Sequence, residues 1–435
     1  MLLQSTKDKN ITSNFQEAVF RGLPPDNGLY VPVNIPELPS EFFNKIREKS
    51  FQEIAFEVAK ALIDEISEEE LWSIVEEAIN FDAPVVKVYD NIHTLELFHG
   101  PTLAFKDFGA RFMSRVMSYF LKHKQQGPVT ILVATSGDTG SAVAQGFLGV
   151  ENVQVVLLYP KGKISKIQEQ QLTTNGQNIT ALEVDGNFDD CQKLVKQAFL
   201  DQELNEEFTL SSANSINISR LIPQSFYYFY AYAQLQADEP PVFCVPSGNF
   251  GNLCGGLIAH AMGLPVSKFI AATNINDVVP EYLQSGIFTP RASKRTISNA
   301  MDVGNPSNFV RMLHLFKADH HLVTTHVVGK SYDDIETKNA IRQVYNEHGY
   351  ILDPHGAVGY LALVDYLSTN SEKPGIFLET AHPAKFVEVV EQAINAKIEL
   401  PSQLKEALEK KKQAVEMSNN YDDFKNYLLD KTLVK

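Results

Sequence analysis

The sequence predicts an α/β protein built on parallel sheets, with an α-rich module ahead of them. Three observations carry this expectation. Short, near-continuous apolar runs recur at 129–134, 153–158, 179–184, 242–245, 269–272 and 376–378, and runs without polar alternation suit strands buried on both faces. Helix-patterned stretches alternate with them, at 141–148, 188–204, 225–236, 253–262, 332–348, 357–367 and 385–396, which implies parallel strands with right-handed crossovers. Finally, 435 residues exceed what one simple core accommodates, so two or three domains are expected.

Taken in order, residues 1 to about 93 lack that alternation. Pro24-Pro25-Asp26-Asn27 reads as a turn before the extended piece Gly28-Leu29-Tyr30-Val31-Pro32. From about 51 to 79 the period is helical. Ile54, Val58, Ala61 and Leu62 share one face, and Leu71, Ile74 and Ala78 share another on a second helix from Glu68. Ser67 and Glu70 have the spacing of a capping box. Trp72, the only tryptophan, is expected to pack between helices. Strand–helix alternation begins after about residue 94. The stretch from Pro401 onward is charged and helical, and is expected on the outside.

The composition narrows the function. A 44% apolar and 21% charged chain has the balance of a soluble globular enzyme. A net charge of −15 argues against nucleic-acid or anionic-membrane partners, which call for a basic face. It leaves room for an anionic small molecule held by backbone N–H groups and one or two basic side chains. Cys191, Cys244 and Cys254 are odd in number and form no C-x-x-C pair, so neither a disulfide framework nor a zinc site is expected and a reducing compartment fits. Nothing near the start has a signal-peptide apolar core, and no apolar run approaches a membrane span. A cytoplasmic protein is expected.

Open parallel sheets bind ligands beyond the carboxyl ends of their strands. Four such ends here are rich in Gly, Ser, Thr and Asn. The first is Ala134-Thr135-Ser136-Gly137-Asp138-Thr139-Gly140-Ser141, whose density of hydroxyls exceeds what a helix cap needs. The second is Val245-Pro246-Ser247-Gly248-Asn249-Phe250-Gly251-Asn252, where glycines let the backbone approach an anion closely. It matches neither the dinucleotide nor the P-loop pattern. The third, from Ser211 through Asn214, Ser215 and Asn217 to Arg220, offers a guanidinium fork for phosphate or carboxylate. The fourth is Leu378-Glu379-Thr380-Ala381-His382-Pro383-Ala384-Lys385-Phe386, where a lone His382 reads as structural. A further segment, His99-Gly100-Pro101-Thr102-Leu103-Ala104-Phe105-Lys106-Asp107-Phe108-Gly109, sets one lysine among phenylalanines at a helix start. Desolvation there would favour the neutral amine, suited to a Schiff base with an aldehyde. Alone, the segment equally suits a solvated lysine whose stem lies on two rings. With two phosphate-type loops and no metal motif, the set points to pyridoxal phosphate, which needs an amine, a phosphate cradle and a ring-nitrogen partner.

The lysine segment resembles that of the threonine synthases, a fold-type II family of pyridoxal phosphate enzymes with two parallel or mixed-sheet α/β domains. Matching motifs follow in the family's order: residues 26–32, 134–141, 214–220, 246–252, Ala300-Met301-Asp302-Val303-Gly304-Asn305-Pro306-Ser307-Asn308, Asp353-Pro354-His355 and 379–386. The long N-terminal module and the Ser-Gly-Asp-Thr-Gly loop are similar to the bacterial and fungal type. The resemblance implies an N-terminal module over 1–93 and a catalytic region over 94–435, with a small subdomain near 107–230, a large one from the remainder and C-terminal helices near 385–435. It implies conversion of O-phospho-L-homoserine and water to L-threonine and phosphate by γ-elimination and β-addition of water, with pyridoxal 5'-phosphate as cofactor, in a monomer or a homodimer. Lys106 would bond the cofactor and move protons. Gly248, Asn249, Phe250, Gly251 and Asn252 would hold its phosphate, and the Thr380 hydroxyl its ring nitrogen. Ser136, Gly137, Asp138, Thr139 and Ser141 would hold the substrate carboxylate, and Asn214, Ser215, Asn217 and Arg220 the substrate phosphate. The chain departs from the family at Asn27, where glycine is frequent, and at Gly356, where threonine is frequent.

Overall fold

The computed structural model describes residues 1–124, 127–235, 237 and 239–430. Gln236, the end of one expected helix, and residues 431–435 of the C-terminal stretch lie outside the described residues. The chain forms two compact units. One comprises Met1–Tyr30, Lys106–Arg220 and Leu400–Lys435; the other comprises Val31–Phe105 and Leu221–Glu399.

The first unit is built on a five-stranded sheet in the order Val415–Met417, Ile179–Val184, Val153–Pro160, Val129–Ala134, Thr209–Ser212, parallel throughout. Its central strand Val129–Ala134 is buried at every position, as its unbroken apolar run requires. Helices Lys106–Lys124 and Asp138–Phe147 approach closely at Gly146, where a Cβ would stand 3.0 Å from the Ala110 carbonyl carbon. Helix Phe15–Arg21 joins this unit by seating Phe15 and Phe20 against Phe120, with ring centroids 6.3 and 6.4 Å away. At the other end of the chain, strand Val415–Met417 pairs with Ile179–Val184. Nearby Lys412 bridges Glu169 at 2.8 Å and Glu183 at 2.9 Å.

The second unit has a six-stranded sheet in the order Val327–Ser331, Lys268–Thr273, Val242–Pro246, Gly375–Glu379, Ile92–Glu96, Val85–Tyr89. Its strands are parallel except the last pair, an antiparallel hairpin. The buried helix Pro354–Leu367 lies against this sheet, with Gly359 packed on Pro246 and Phe377. Helices Phe51–Leu62 and Glu68–Ala78 belong here, Phe51 stacking on Tyr230 at 4.4 Å and Phe56 meeting Trp72 edge-on at 5.4 Å.

The six expected strands are present, and the structure adds others. The Val85–Glu96 hairpin, Thr209–Ser212, Val327–Ser331 and Val415–Met417 were not expected, because they are short or partly exposed and lack a continuous apolar run. The stretch expected as one helix over 188–204 breaks at Asp201, whose carboxylate caps a second helix by accepting from Leu204 N–H. Ser67 caps its helix through Glu70 N–H at 3.4 Å, while the full reciprocal box stands one helix earlier, between Ser50 and Glu53.

Candidate active site

Strand ends organise the candidate residues in each unit. In the second unit, Gly100 to Leu103 forms a tight turn, with Leu103 N–H donating to Gly100 O at 3.0 Å and Leu103 at φ 59°. The following residues lie along the end of strand Gly375–Glu379. Phe105 N–H donates to Thr380 O at 2.9 Å, His382 N–H to Leu103 O at 3.0 Å, and the fully buried Lys385 Nζ to Thr102 O at 2.9 Å. His382 caps the short turn Pro383–Phe386 through Nδ1, which accepts from Ala384 N–H at 3.1 Å. Burial first, then the His99 charge, hold its ring down at about 4.

The 247–252 loop closes the end of strand Val242–Pro246. Phe250 is left-handed at φ 60°, ψ 15°, and Gly251 starts helix Gly251–Ala261. A left-handed residue followed by helical backbone turns successive N–H groups to one side, the form that cradles anions. A helix start also leaves its first N–H groups without intrahelical partners. Behind the loop, Gly248 packs so closely on Ala300 and Met301 that a Cβ would stand 2.6 Å from the Ala300 carbonyl oxygen. Asn249 is clamped from the other side: Ser307 N–H donates to its Oδ1 at 2.5 Å and Asn308 N–H to its carbonyl at 3.3 Å. Asn252 Oδ1 accepts from Ser247 Oγ at 2.6 Å, and its Nδ2 donates to Pro246 O at 2.8 Å. These residues fit a phosphate-bearing cofactor.

Next to Thr380 lies a buried polar group that the sequence offered only as a motif. Asp353 caps helix Pro354–Leu367, its carboxylate accepting from the N–H groups of His355 and Gly356 and from His355 Nδ1. Glu379 is fully buried beside it. Burial first, then the Asp353 charge, push the Glu379 carboxyl well above the usual range. The Asp-Pro pair was the legible signal of this cap; the partnership with Glu379 was not, because it joins residues 26 positions apart.

In the first unit, Lys106 is the first residue of helix Lys106–Lys124. Its Nζ stands 3.9 Å from Asp138 Oδ2, with the lysine side chain 17% and the aspartate 4% exposed. The 135–141 loop is folded on its own hydroxyls. Thr135 Oγ1 accepts from Gly137 N–H at 3.0 Å and Gly140 N–H at 2.8 Å, and Ser141 Oγ donates to Gly137 O at 3.1 Å. Gly137 has φ 133°, and Gln168 beneath it donates to Asp138 Oδ1 at 3.1 Å. Ser136 and Thr139 remain half-exposed. The Asn214 turn follows strand Thr209–Ser212. Asn214 Nδ2 donates to Ala134 O at 3.1 Å, which joins this turn to the previous strand end. Ser215 is half-exposed. Asn217 is buried, donating to Val19 O and Ser212 O. Arg220 is buried too, with Nη1 donating to Ala213 O. Gly109 makes room for it: a Cβ there would stand 2.8 Å from Nε. Burial pulls this guanidinium down to about 10, against the pull of the Asp107 charge.

A family model for pyridoxal-phosphate dependent enzymes matches residues 91–378. Models for the threonine synthase N terminus and the threonine synthase C-terminal region match residues 3–79 and 356–428. The threonine synthase of Haemophilus influenzae is 46% identical over 432 residues, covering 99% of this chain and all of that one. The chain belongs to the threonine synthases. The crystal structure of threonine synthase from Escherichia coli superposes with a TM-score of 0.93 at 44% identity, covering 99% of this chain and 100% of that one. The pyridoxal-phosphate-bound threonine synthase from Brucella melitensis gives 0.90 at 35% identity, with 98% of each chain covered. The expected α/β fold, family and cofactor class are therefore those of the protein. Among the described residues, no helix is long and apolar enough to cross a membrane.

Proposed function

We propose that this threonine synthase family member converts O-phospho-L-homoserine and water to L-threonine and inorganic phosphate. The assignment is carried by likeness to threonine synthases over nearly the whole chain. Pyridoxal phosphate, when bound, supplies an aldehyde for an amine and a ring that takes up the electrons of a broken C–H bond. Lys106 Nζ provides the amine and, once free, takes the substrate's α proton and returns protons at later steps. Gly248, Asn249, Phe250, Gly251 and Asn252 hold the cofactor phosphate through backbone N–H groups, and the Thr380 hydroxyl serves the ring nitrogen. Ser136 and Thr139 present half-exposed hydroxyls to the substrate carboxylate, in a loop shaped by Gly137, Asp138 and Ser141. Asn214 and Ser215 take the substrate phosphate, with Asn217 holding their turn and buried Arg220 adding positive charge as phosphate leaves the γ carbon. Water then adds at the β carbon. The enzyme acts in the cytoplasm without a nucleic-acid partner, as a monomer or a homodimer.

Product analysis tests the reaction. Purified protein with pyridoxal phosphate and O-phosphohomoserine should yield threonine and phosphate in equal amounts. Accumulation of 2-oxobutyrate in place of threonine would overturn the assignment in favour of a phospholyase.

A further inference from the structure

The group formed by Glu379, Asp353 and His355 has no part in the steps above, yet it is among the most buried polar clusters of its unit. Exposure is 0% for Glu379 and Asp353 and 2% for His355. Its hydrogen bonds run in one direction. Ala300 N–H donates to His355 Nε2 at 3.2 Å, so the ring's proton is left on Nδ1, 2.6 Å from Asp353 Oδ1. Glu379 Oε2 accepts from Asp353 N–H at 3.3 Å, which sets the two carboxyl groups beside each other. Two neighbouring buried carboxyls share one negative charge rather than two. Asp353 already accepts from the His355 ring and from two backbone N–H groups, so it keeps the charge and Glu379 the proton. Glu96, also within electrostatic reach of Glu379, is acidic and strengthens this division.

Room for Glu379 comes from a missing side chain. A Cβ on Gly356 would stand 1.9 Å from Glu379 Oε1 and 2.3 Å from its Cδ. Glu379 in this position therefore requires glycine at 356. Both ends of the cluster reach parts of the same unit that the assignment above gives to the cofactor. Glu379 immediately precedes Thr380. His355 holds Ala300, whose carbonyl backs directly onto Gly248.

We propose that Glu379, Asp353 and His355 form a positioning relay, admitted by Gly356, that fixes Thr380 at one end and, through Ala300, the floor of the Gly248–Asn252 loop at the other. This rests on the assignment of Thr380 and that loop to pyridoxal phosphate. The test titrates pyridoxal phosphate into cofactor-free protein, reads the dissociation constant from visible absorbance, and records the melting temperature of the cofactor-free protein alongside. Glu379→Gln keeps an acceptor for Asp353 N–H and should bind within about twofold of wild type. Glu379→Ala removes that acceptor and Gly356→Ala displaces it. Each should weaken binding by about tenfold or more, with the cofactor-free melting temperature within a few degrees of wild type. Should Gly356→Ala fail to fold, Glu379→Ala, which only removes atoms, carries the test alone. Wild-type affinity in Glu379→Ala would overturn the relay, as would equal weakening in Gln and Ala, or a lowered melting temperature with unchanged affinity. Threonine formation by the wild type is scored separately. Its absence would sink the proposed reaction, while the dissociation constants would still judge the relay.

Discussion

Lys106 and His382 show how differently two polar residues near strand ends are used. Lys106 carries the proposed chemistry, so Lys106→Ala should abolish threonine formation and the visible absorbance of bound cofactor; an active, yellow variant would remove it from that role. His382 is a cap. Its ring is held at about 4, whereas an unfolded histidine titrates near 6.5. Between these values the unfolded chain binds the extra proton. The contribution is thus complete above about pH 6.5 and is lost as pH falls toward 4. His382→Asn keeps an acceptor for Ala384 and should flatten the urea midpoint against pH across that window, by up to about 3 kcal/mol. An unchanged slope would assign the acid sensitivity elsewhere. At this scale much of the candidate site was legible, because lysine among aromatics and Gly-Asn turns at strand ends carry their chemistry in residue type. Leu103 and Phe250 were not. Nothing about leucine or phenylalanine calls for positive φ, and only the folded backbone reveals it.

Among elements, the long central strands were readable and the edges were not. Val129–Ala134 announces itself by six consecutive buried positions. Strand Val415–Met417 has one buried residue, Met417, and sits in a charged stretch that reads as helix. Near that strand, Lys412 pairs with Glu183, whose side chain is 9% exposed. Lys412→Met would leave that carboxylate without its cation and should cost about 1–3 kcal/mol. Adding Glu183→Met should recover most of the loss, as coupled neighbours do not add. Chemical denaturation of the two variants checks this, and a full-size additive loss in the double variant would show the pair to be uncoupled. Hairpin Val85–Glu96 was hidden for a related reason: its outer strand is half-exposed or exposed at all five positions, so it lacks the apolar run that marks a buried strand.

For the whole molecule, the charge of −15 opposes a doubly ionised phosphate ester arriving from solution. Screening should relieve that repulsion. kcat/KM for O-phosphohomoserine is therefore expected to rise about twofold or more between low and physiological ionic strength. A fall would mean that local positive charge at the site outweighs the net field. The assignment of segments to units was the least legible feature of the sequence. Periodicity identifies a strand or a helix but not its partner, so nothing in residues 1–30 or 400–435 pointed to the sheet of residues 129–212. That interleaving governs how the chain is made. While the ribosome is still adding residues 221–399, the first unit lacks its last strand. The Ile179–Val184 edge then offers an open row of N–H and C=O groups to any neighbouring chain. The second unit has all its segments once Glu399 emerges, but the first must wait for Met417. Until then the newborn chain carries an open strand edge that is exposed to aggregation.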